Sequence, residues 1–488
     1  MGTKGMSVYR KTVLLAAGAV ACLALSPRIV QARGGVYPLT KHAAKVFRIA
    51  TEPVGSCSQC HNEHAGYDGA STQGPFPFLL FMGNTNGLCY VCHTTATPSG
   101  PNVYQGSTLY DQSSHGLSTS MVWPGATPPL PPGPPARPWA DTGKCVNCHT
   151  PHGYKDAGGL IPNLAFEREE NLCEACHGGY PANSSKNVNL QFTKTSKHPI
   201  GTSGKHVASE GGDPTKYGAS PVNNRHSECE DCHNPHYARS DSPAIAPIPP
   251  GASNRILGVG RVTVVNGAAG VPPTYIYRPP NSTDFVNEYE VCFKCHSSWT
   301  TLPPLKPDLA LFLNTNNPSF HPVEDRGKNA NINPGAFANG WTWDRKIYCT
   351  DCHTSDDVNV RGPHGSSYSY ILKKSYYKNS SPWRMSTTDL CFDCHLYDTY
   401  ANNSASSTVK GYSRFNSPRF SEGHTFHVGS RGYSCYSCHD SHGSTTNPAL
   451  IVTSGRSPGL NSYSQTATGG RCSPSCHGSE SYTINYAR

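Results

Sequence analysis

Aliphatic core material is scarce in this sequence. Hydrophobic residues make up 36% of 488 and charged residues 15%, against 47 glycines and 42 prolines. Such a chain buries too little apolar surface to offset the entropy of ordering so many residues. Long apolar runs are also missing. The stretch Thr12 to Leu25 is too short to span a bilayer comfortably, which argues against a transmembrane segment. It follows Lys4, Arg10 and Lys11 and precedes Val30-Gln-Ala32, the layout of a cleaved signal peptide over residues 1–32 with Cys22 discarded inside it. Methionine is nearly absent, and beyond that leader only Met82, Met121 and Met385 remain.

What the chain has instead is 21 cysteines and 23 histidines. Nine runs read C-x-x-C-H: Cys57/Cys60/His61, Cys89/Cys92/His93, Cys145/Cys148/His149, Cys173/Cys176/His177, Cys229/Cys232/His233, Cys292/Cys295/His296, Cys349/Cys352/His353, Cys391/Cys394/His395 and Cys435/Cys438/His439. A tenth, Cys472-Ser-Pro-Ser-Cys476-His477, has one more residue between its thiols. C-x-x-C-H is the attachment signal for c-type haem: two thiols add to the two vinyl groups of one porphyrin, and the adjacent imidazole binds the iron. Paired thiols also suit zinc or disulfides. Neither requires a histidine directly after every second cysteine. The motifs therefore ask for ten covalently attached haem c groups, with iron as the metal.

Haem also replaces the missing core. The 456 residues after the leader give each haem about 46 residues, and porphyrin faces supply an apolar interior. Charge changes as well. Removal of the leader lowers the formal +8 to +4, and ten ferric haems with two propionates each bring it to −6, or −16 when reduced. The basic sequence composition is thus no sign of nucleic-acid binding.

The motifs fall into five pairs. Their boundaries are residues 33–97, 98–185 (with the extended Pro124–Pro138 linker), 186–300, 301–400 and 401–488. The third pair holds a predicted hairpin, Arg261–Val265 with Thr274–Tyr277. Helix signals precede second motifs: Asn163 before Cys173, Ser282-Thr-Asp284 before Cys292, and Ser386 before Cys391. The expected fold is mostly irregular, with short helices and few strands along a chain of haems. Each pair has a trailing histidine, His64, His152, His236, His364 or His442, and each is preceded by another: His42, His115, His198, His321, and His424 or His427. That makes ten distal candidates for ten irons, with His206, His226 and one of the 424/427 pair left over. A trailing imidazole sits about one turn past its own iron ligand, so it reaches a neighbouring haem. For His152 the expected neighbour is the haem of Cys173/Cys176. Two imidazoles on every iron leave no substrate position, which suits electron transfer rather than catalysis at the metal. The protein is thus expected not to be an enzyme. The runner-up is a reductase of a nitrogen or sulfur oxyanion with one open haem, for which the lengthened tenth motif is the oddity.

The alternation of His61-Asn-Glu-His64, His149-Thr-Pro-His152, His233-Asn-Pro-His236 and His439-Asp-Ser-His442 with plain C-x-x-C-H resembles the doubled-motif multihaem cytochromes secreted by metal-respiring bacteria, some of which form outer-surface filaments. The resemblance implies that His64, His152, His236 and His442 ligate neighbouring haems; His364 departs in spacing, as a loop insertion would make it. It implies secretion to the outer surface or beyond, or otherwise residence in the periplasm. Its implied partners are other redox proteins or extracellular electron acceptors, with a homopolymer among the arrangements open to the chain. His42 has two geometries open to it: a haem of its own pair, or the terminal haem of an adjacent copy.

Overall fold

The structure is a computed structural model. It describes residues 37–45, 48–62, 76–93, 107–119, 121, 144–156, 159–161, 169–179, 186–200, 226–241, 247–280, 285–300, 302, 305–378, 385–415 and 423–483. The leader, the Pro124–Pro138 linker, the Asn163 and Ser282–Asp284 signals, His64 and His206 lie outside them. The chain divides into two compact units, Met1–Leu109 with Thr119–Cys176, and Tyr110–Ser118 with His177–Arg488.

Regular structure is sparse, as expected. Most first motifs open on a single 3-10 turn, Cys57–Gln59, Cys229–Asp231, Cys349–Asp351 and Cys435–Ser437. Second motifs sit on α-helices at Asn86–Tyr90, Glu169–His177 and Glu288–His296. Two departures correct the sequence reading. The cap before Cys292 is Asn287, in a reciprocal box with Glu290. Before Cys391 there is only a 3-10 turn, Leu390–Asp393, because the Asp389 carboxylate folds back to accept from the Ser386 amide at 2.7 Å.

Among the described residues eleven short strands form five small sheets. β1 (Tyr154–Asp156) pairs with β2 (Gly159–Ile161), and β4 (Arg261–Val265) with β5 (Thr274–Arg278), the hairpin read from the sequence. Its inner face joins the largest apolar cluster, in which Val262, Phe293, Trp299, Ala310, Leu313 and Val323 are buried. β3 (Ser196–Lys197) pairs with β7 (Gly365–Ser366), and β6 (Ser319–Phe320) with β8 (Gly443–Ser444). These two ladders join repeats: each brings the segment before an upstream histidine against the segment after a trailing one. β9 (Leu460–Thr466), β10 (Gly469–Pro474) and β11 (Glu480–Thr483) make a C-terminal antiparallel sheet.

The ladders depend on two glycines. A Cβ on Gly365 would lie 1.9 Å from the Gln191 carbonyl oxygen, and one on Gly443 would lie 1.9 Å from that of Phe312. Gly365→Ala must open the β3–β7 ladder. We expect it to cost about 2 kcal/mol or more, seen as a lower melting temperature of the haem-loaded protein. An unchanged melt would show that the ladder does not hold the repeats together.

Candidate haem-binding sites

Each motif places its imidazole by one local device. The backbone N–H of the histidine bonds to the carbonyl of the first cysteine, at 2.8 Å from His61 to Cys57 and from His353 to Cys349, and at 2.9 Å from His233 to Cys229. Thiols and imidazole thus leave one tight turn. Among the described residues, no C-x-x-C-H motif brings its two thiols and its imidazole into a common ligand sphere, as tetrahedral zinc would need. The described cysteines form no disulfide.

The decisive geometry lies between histidines. In the first unit His42 faces His93 and His61 faces His152, each with ring centroids 5.9 Å apart. In the second, His115 faces His177 at 6.1 Å, His198 faces His296 at 6.2 Å and His233 faces His364 at 6.0 Å. His353 faces His442 at 6.1 Å, His424 faces His439 at 6.0 Å and His427 faces His477 at 6.3 Å. In the five near-parallel pairs the gap is wider than close face-to-face stacking. A metal–imidazole bond is about 2 Å and the ring centre lies roughly 1 Å further, so two imidazoles across one metal sit about 6 Å apart. Every one of the eight pairs joins one motif histidine to one other histidine.

The second nitrogen of these rings is held by backbone. Nδ1–H donates to a carbonyl oxygen from His61 (Phe78, 2.9 Å), His177 (Lys186, 3.0 Å), His233 (Arg255, 2.9 Å), His353 (Tyr370, 2.8 Å), His439 (Ala449, 2.8 Å) and His477 (Gly478, 2.7 Å). That fixes the tautomer and leaves Nε2 bare for iron. Burial holds His177, His233, His353 and His439 toward the neutral form. It is the main reason His364 and His424 are pushed down to about 3 and His395 to about 4, the last helped by nearby His321.

Three of these carbonyls come from strained backbone. Phe78 and Leu79, Tyr370 and Ile371, and Ala449 and Leu450 are consecutive non-glycine residues with positive φ. Such a conformation costs about 1–2 kcal/mol per residue and turns the carbonyl toward the imidazole. The sequence reading missed these clips. Their signal is an apolar pair that follows the first motif of a repeat, the accepting carbonyl standing 17, 17 and 10 residues after the histidine.

The upstream histidines obey a second rule. His42, His115, His198 and His321 donate Nδ1–H to the carbonyls of Pro151, Pro235, Pro363 and Ser441, at 3.1, 3.2, 2.7 and 2.5 Å. Each acceptor immediately precedes the trailing histidine of the next repeat. An upstream imidazole therefore grips the next repeat's trailing segment and draws it back. This explains a correction: His152 faces His61 of the preceding repeat, not His177. An aromatic ring lies edge-on to these trailing imidazoles, Tyr37 to His152, Tyr110 to His236 and Phe192 to His364.

The irregular spacing of His364 comes from a loop closed at its neck. Ser355 N–H bonds to the Gly362 carbonyl, and Gly362 N–H to Thr354 Oγ1, both at 2.9 Å. Lys194 pairs with Asp356, and Gln191 bonds to Ser355 at 2.6 Å, so the loop is anchored and His364 reaches His233. At the C-terminal end both His424 and His427 face motif histidines, from one short π-helical stretch, Thr425–Ser430, and its cap. The choice between them left open by the sequence is therefore not needed. His226 is buried against Glu228, its Nε2 3.6 Å from a carboxylate oxygen.

The thiols trace a ladder. In the first unit Cys60 is an electrostatic neighbour of Cys92, Cys89 is hydrogen-bonded to Cys145, and Cys148 is a neighbour of Cys176. In the second, the contacts run Cys232 to Cys292 and Cys295, Cys292 to Cys349, Cys352 to Cys394, Cys391 to Cys435, and Cys438 to Cys472 and Cys476. First cysteines meet between repeats and second cysteines within them. Side chains at the helix starts set these meetings: Asn86 accepts from the Cys145 amide at 3.1 Å, and Glu288 from the Thr350 amide at 3.0 Å.

The residues thus fit haem: turn-borne thiol pairs, bare Nε2 atoms and imidazoles spaced for one metal. The family model for the doubled CXXCH motif matches residues 138–181. Motif and sites together support a multihaem c-type cytochrome, a class that transfers electrons. No curated protein and no solved structure matches the chain. Among the described residues no helix is long and apolar enough to cross a membrane.

Proposed function

We propose that this cytochrome carries ten haems and conducts electrons along them, working in the periplasm or outside the cell. The observation that carries this reading is the set of eight imidazole pairs, which would close both axial faces of their irons. Haem iron supplies one-electron redox chemistry; held between two imidazoles it changes oxidation state with little rearrangement and offers no place to a substrate. The chain's part is to hold the rings. Backbone carbonyls orient them, burial holds several of them toward the neutral form, and the thiol ladder brings neighbouring motifs together. The leader over residues 1–32 supports export. Redox proteins or extracellular acceptors are the natural partners. A homopolymer is not required, since the intrachain partner of His42 removes the main reason for ligand exchange between copies.

Low-temperature EPR of the oxidised protein tests the reading. Only low-spin ferric signals are expected. A high-spin signal near one haem per chain would favour a reductase instead. Intact mass should exceed that of the processed chain by about 6 kDa, from ten porphyrins attached without loss of atoms; a mass one haem short would point to the Cys472/Cys476 site. His42→Ala should give the isolated monomer one high-spin haem, that of Cys89/Cys92.

A further inference from the structure

We infer that the tenth site is the electron-exchange port of the molecule and that it docks a redox partner whose contact face is acidic. The inference rests on the electron-conducting role proposed above and assigns it a place and a partner chemistry.

Three observations converge. The first is position. The described thiol ladder of the second unit runs on to Cys472 and Cys476, which neighbour Cys438. The second is exposure. The other described first cysteines begin helical turns or lie within helices, whereas Cys472 lies on β10, at the centre of the C-terminal sheet. Residues 475–481 are all exposed, as are most of β9 and β11. The sheet is held to the body through Tyr482, whose ring meets Phe415 at 4.9 Å and whose hydroxyl lies 3.1 Å from that of Tyr463.

The third observation is charge. Residues 401–488 hold seven lysines and arginines against three acids, a net +4, while residues 33–400 balance to zero. With two haems and their four propionates the last segment stands at +2 when ferric and 0 when reduced, while the remainder with eight haems falls to −8 and −16. Near the tenth motif the cations are free to act. Arg471 is exposed and adjoins Cys472, and Arg431 is exposed at the end of the π-helical stretch bearing His427, with the Tyr433 phenol between it and Cys476. Neither is ion-paired among the described residues. Glu480, opposite Cys472 in the sheet, offsets one of them. Arg456 is already held by Asp440 at 3.0 Å, and Lys410 is buried. An acidic face is drawn to this end and repelled by the rest of the molecule, which steers both encounter and orientation.

The test uses the haem-loaded protein, its haem content and reversible reduction measured beforehand. The reduced protein is mixed in a stopped-flow instrument with ferricyanide, which takes one electron per ion from a ferrous haem and becomes ferrocyanide. The fastest phase should slow as ionic strength rises, although the molecule as a whole is negative. Binding of the redox-inert trianion hexacyanocobaltate(III) to the oxidised protein, followed by calorimetry, should show the same salt dependence. R431E/R471E should slow the fast phase about tenfold at low salt and reverse its salt dependence, and R431Q/R471Q should flatten it. A fast phase that quickens with salt in the wild type, or variants that match it in rate and trianion binding, would overturn the port. Failure of the protein to take up and release electrons at all would instead overturn the conducting role.

Discussion

Made without the machinery that attaches haem, the chain is expected to give no cooperative melt and little native circular dichroism. The buried apolar residues fall into small separate clusters, such as Met385, Phe392, Ala401 and Val428, or Val259, Val286 and Val291. Large apolar side chains are exposed where the haems belong. Val91, inside the second motif, is 38% exposed, Phe78 and Tyr370, whose carbonyls hold His61 and His353, are 52% and 51% exposed, and their neighbour Leu79 is 48% exposed. A porphyrin covering those faces supplies the burial, at about 25 cal/mol per Å². Without it the ordering entropy of a chain rich in glycine and proline has nothing to oppose it. The imidazole pairs add to this, since a metal held between two rings would tie their segments together, and without it that tie is lost. Circular dichroism of protein expressed with and without attachment settles the point. A sharp apo transition would show that the small clusters suffice.

His152→Ala is expected to turn one haem high-spin, and that haem should be the one on Cys57 and Cys60. His152 faces His61 at 5.9 Å, and its segment is held there by the His42 bond to the Pro151 carbonyl at 3.1 Å. The substitution removes the ring and leaves that bond in place, so the repeat contact should survive while one axial position opens. Low-temperature EPR reads the high-spin fraction, about a tenth of the iron for ten haems. Loss of the Cys57/Cys60 thioethers by Cys→Ala should abolish the new signal and so locate it. If the signal persists, or no high-spin iron appears, the backward reach of trailing histidines is wrong for this repeat.

The contrast between His152 and its motif shows what each level of description can fix. The ten Cys–His motifs are chemistry written in five or six contiguous residues, so the covalent sites and their proximal imidazoles were legible at once. So was the Arg261–Val265 hairpin, whose register depends on adjacent strands and one turn. The pool of distal ligands was legible as a count, because ten motifs and thirteen other histidines leave little choice. Which histidine faces which motif was not. The bonds that decide it join residues 109, 120, 165 and 120 positions apart, and nothing local encodes such distances. Trailing histidines reach back a repeat because upstream histidines grip the carbonyls before them. The His364 loop works because Gly362 closes its neck, and both His424 and His427 face motif histidines because one short π-helical stretch and its cap present both. The left-handed pairs at Phe78, Tyr370 and Ala449 arise the same way, from packing that outweighs an unfavourable local conformation. Sequence alone determined the Cys–His motifs that imply covalent haem c; tertiary contact decided the pairing of the imidazoles, because only folding brings their carbonyl anchors together.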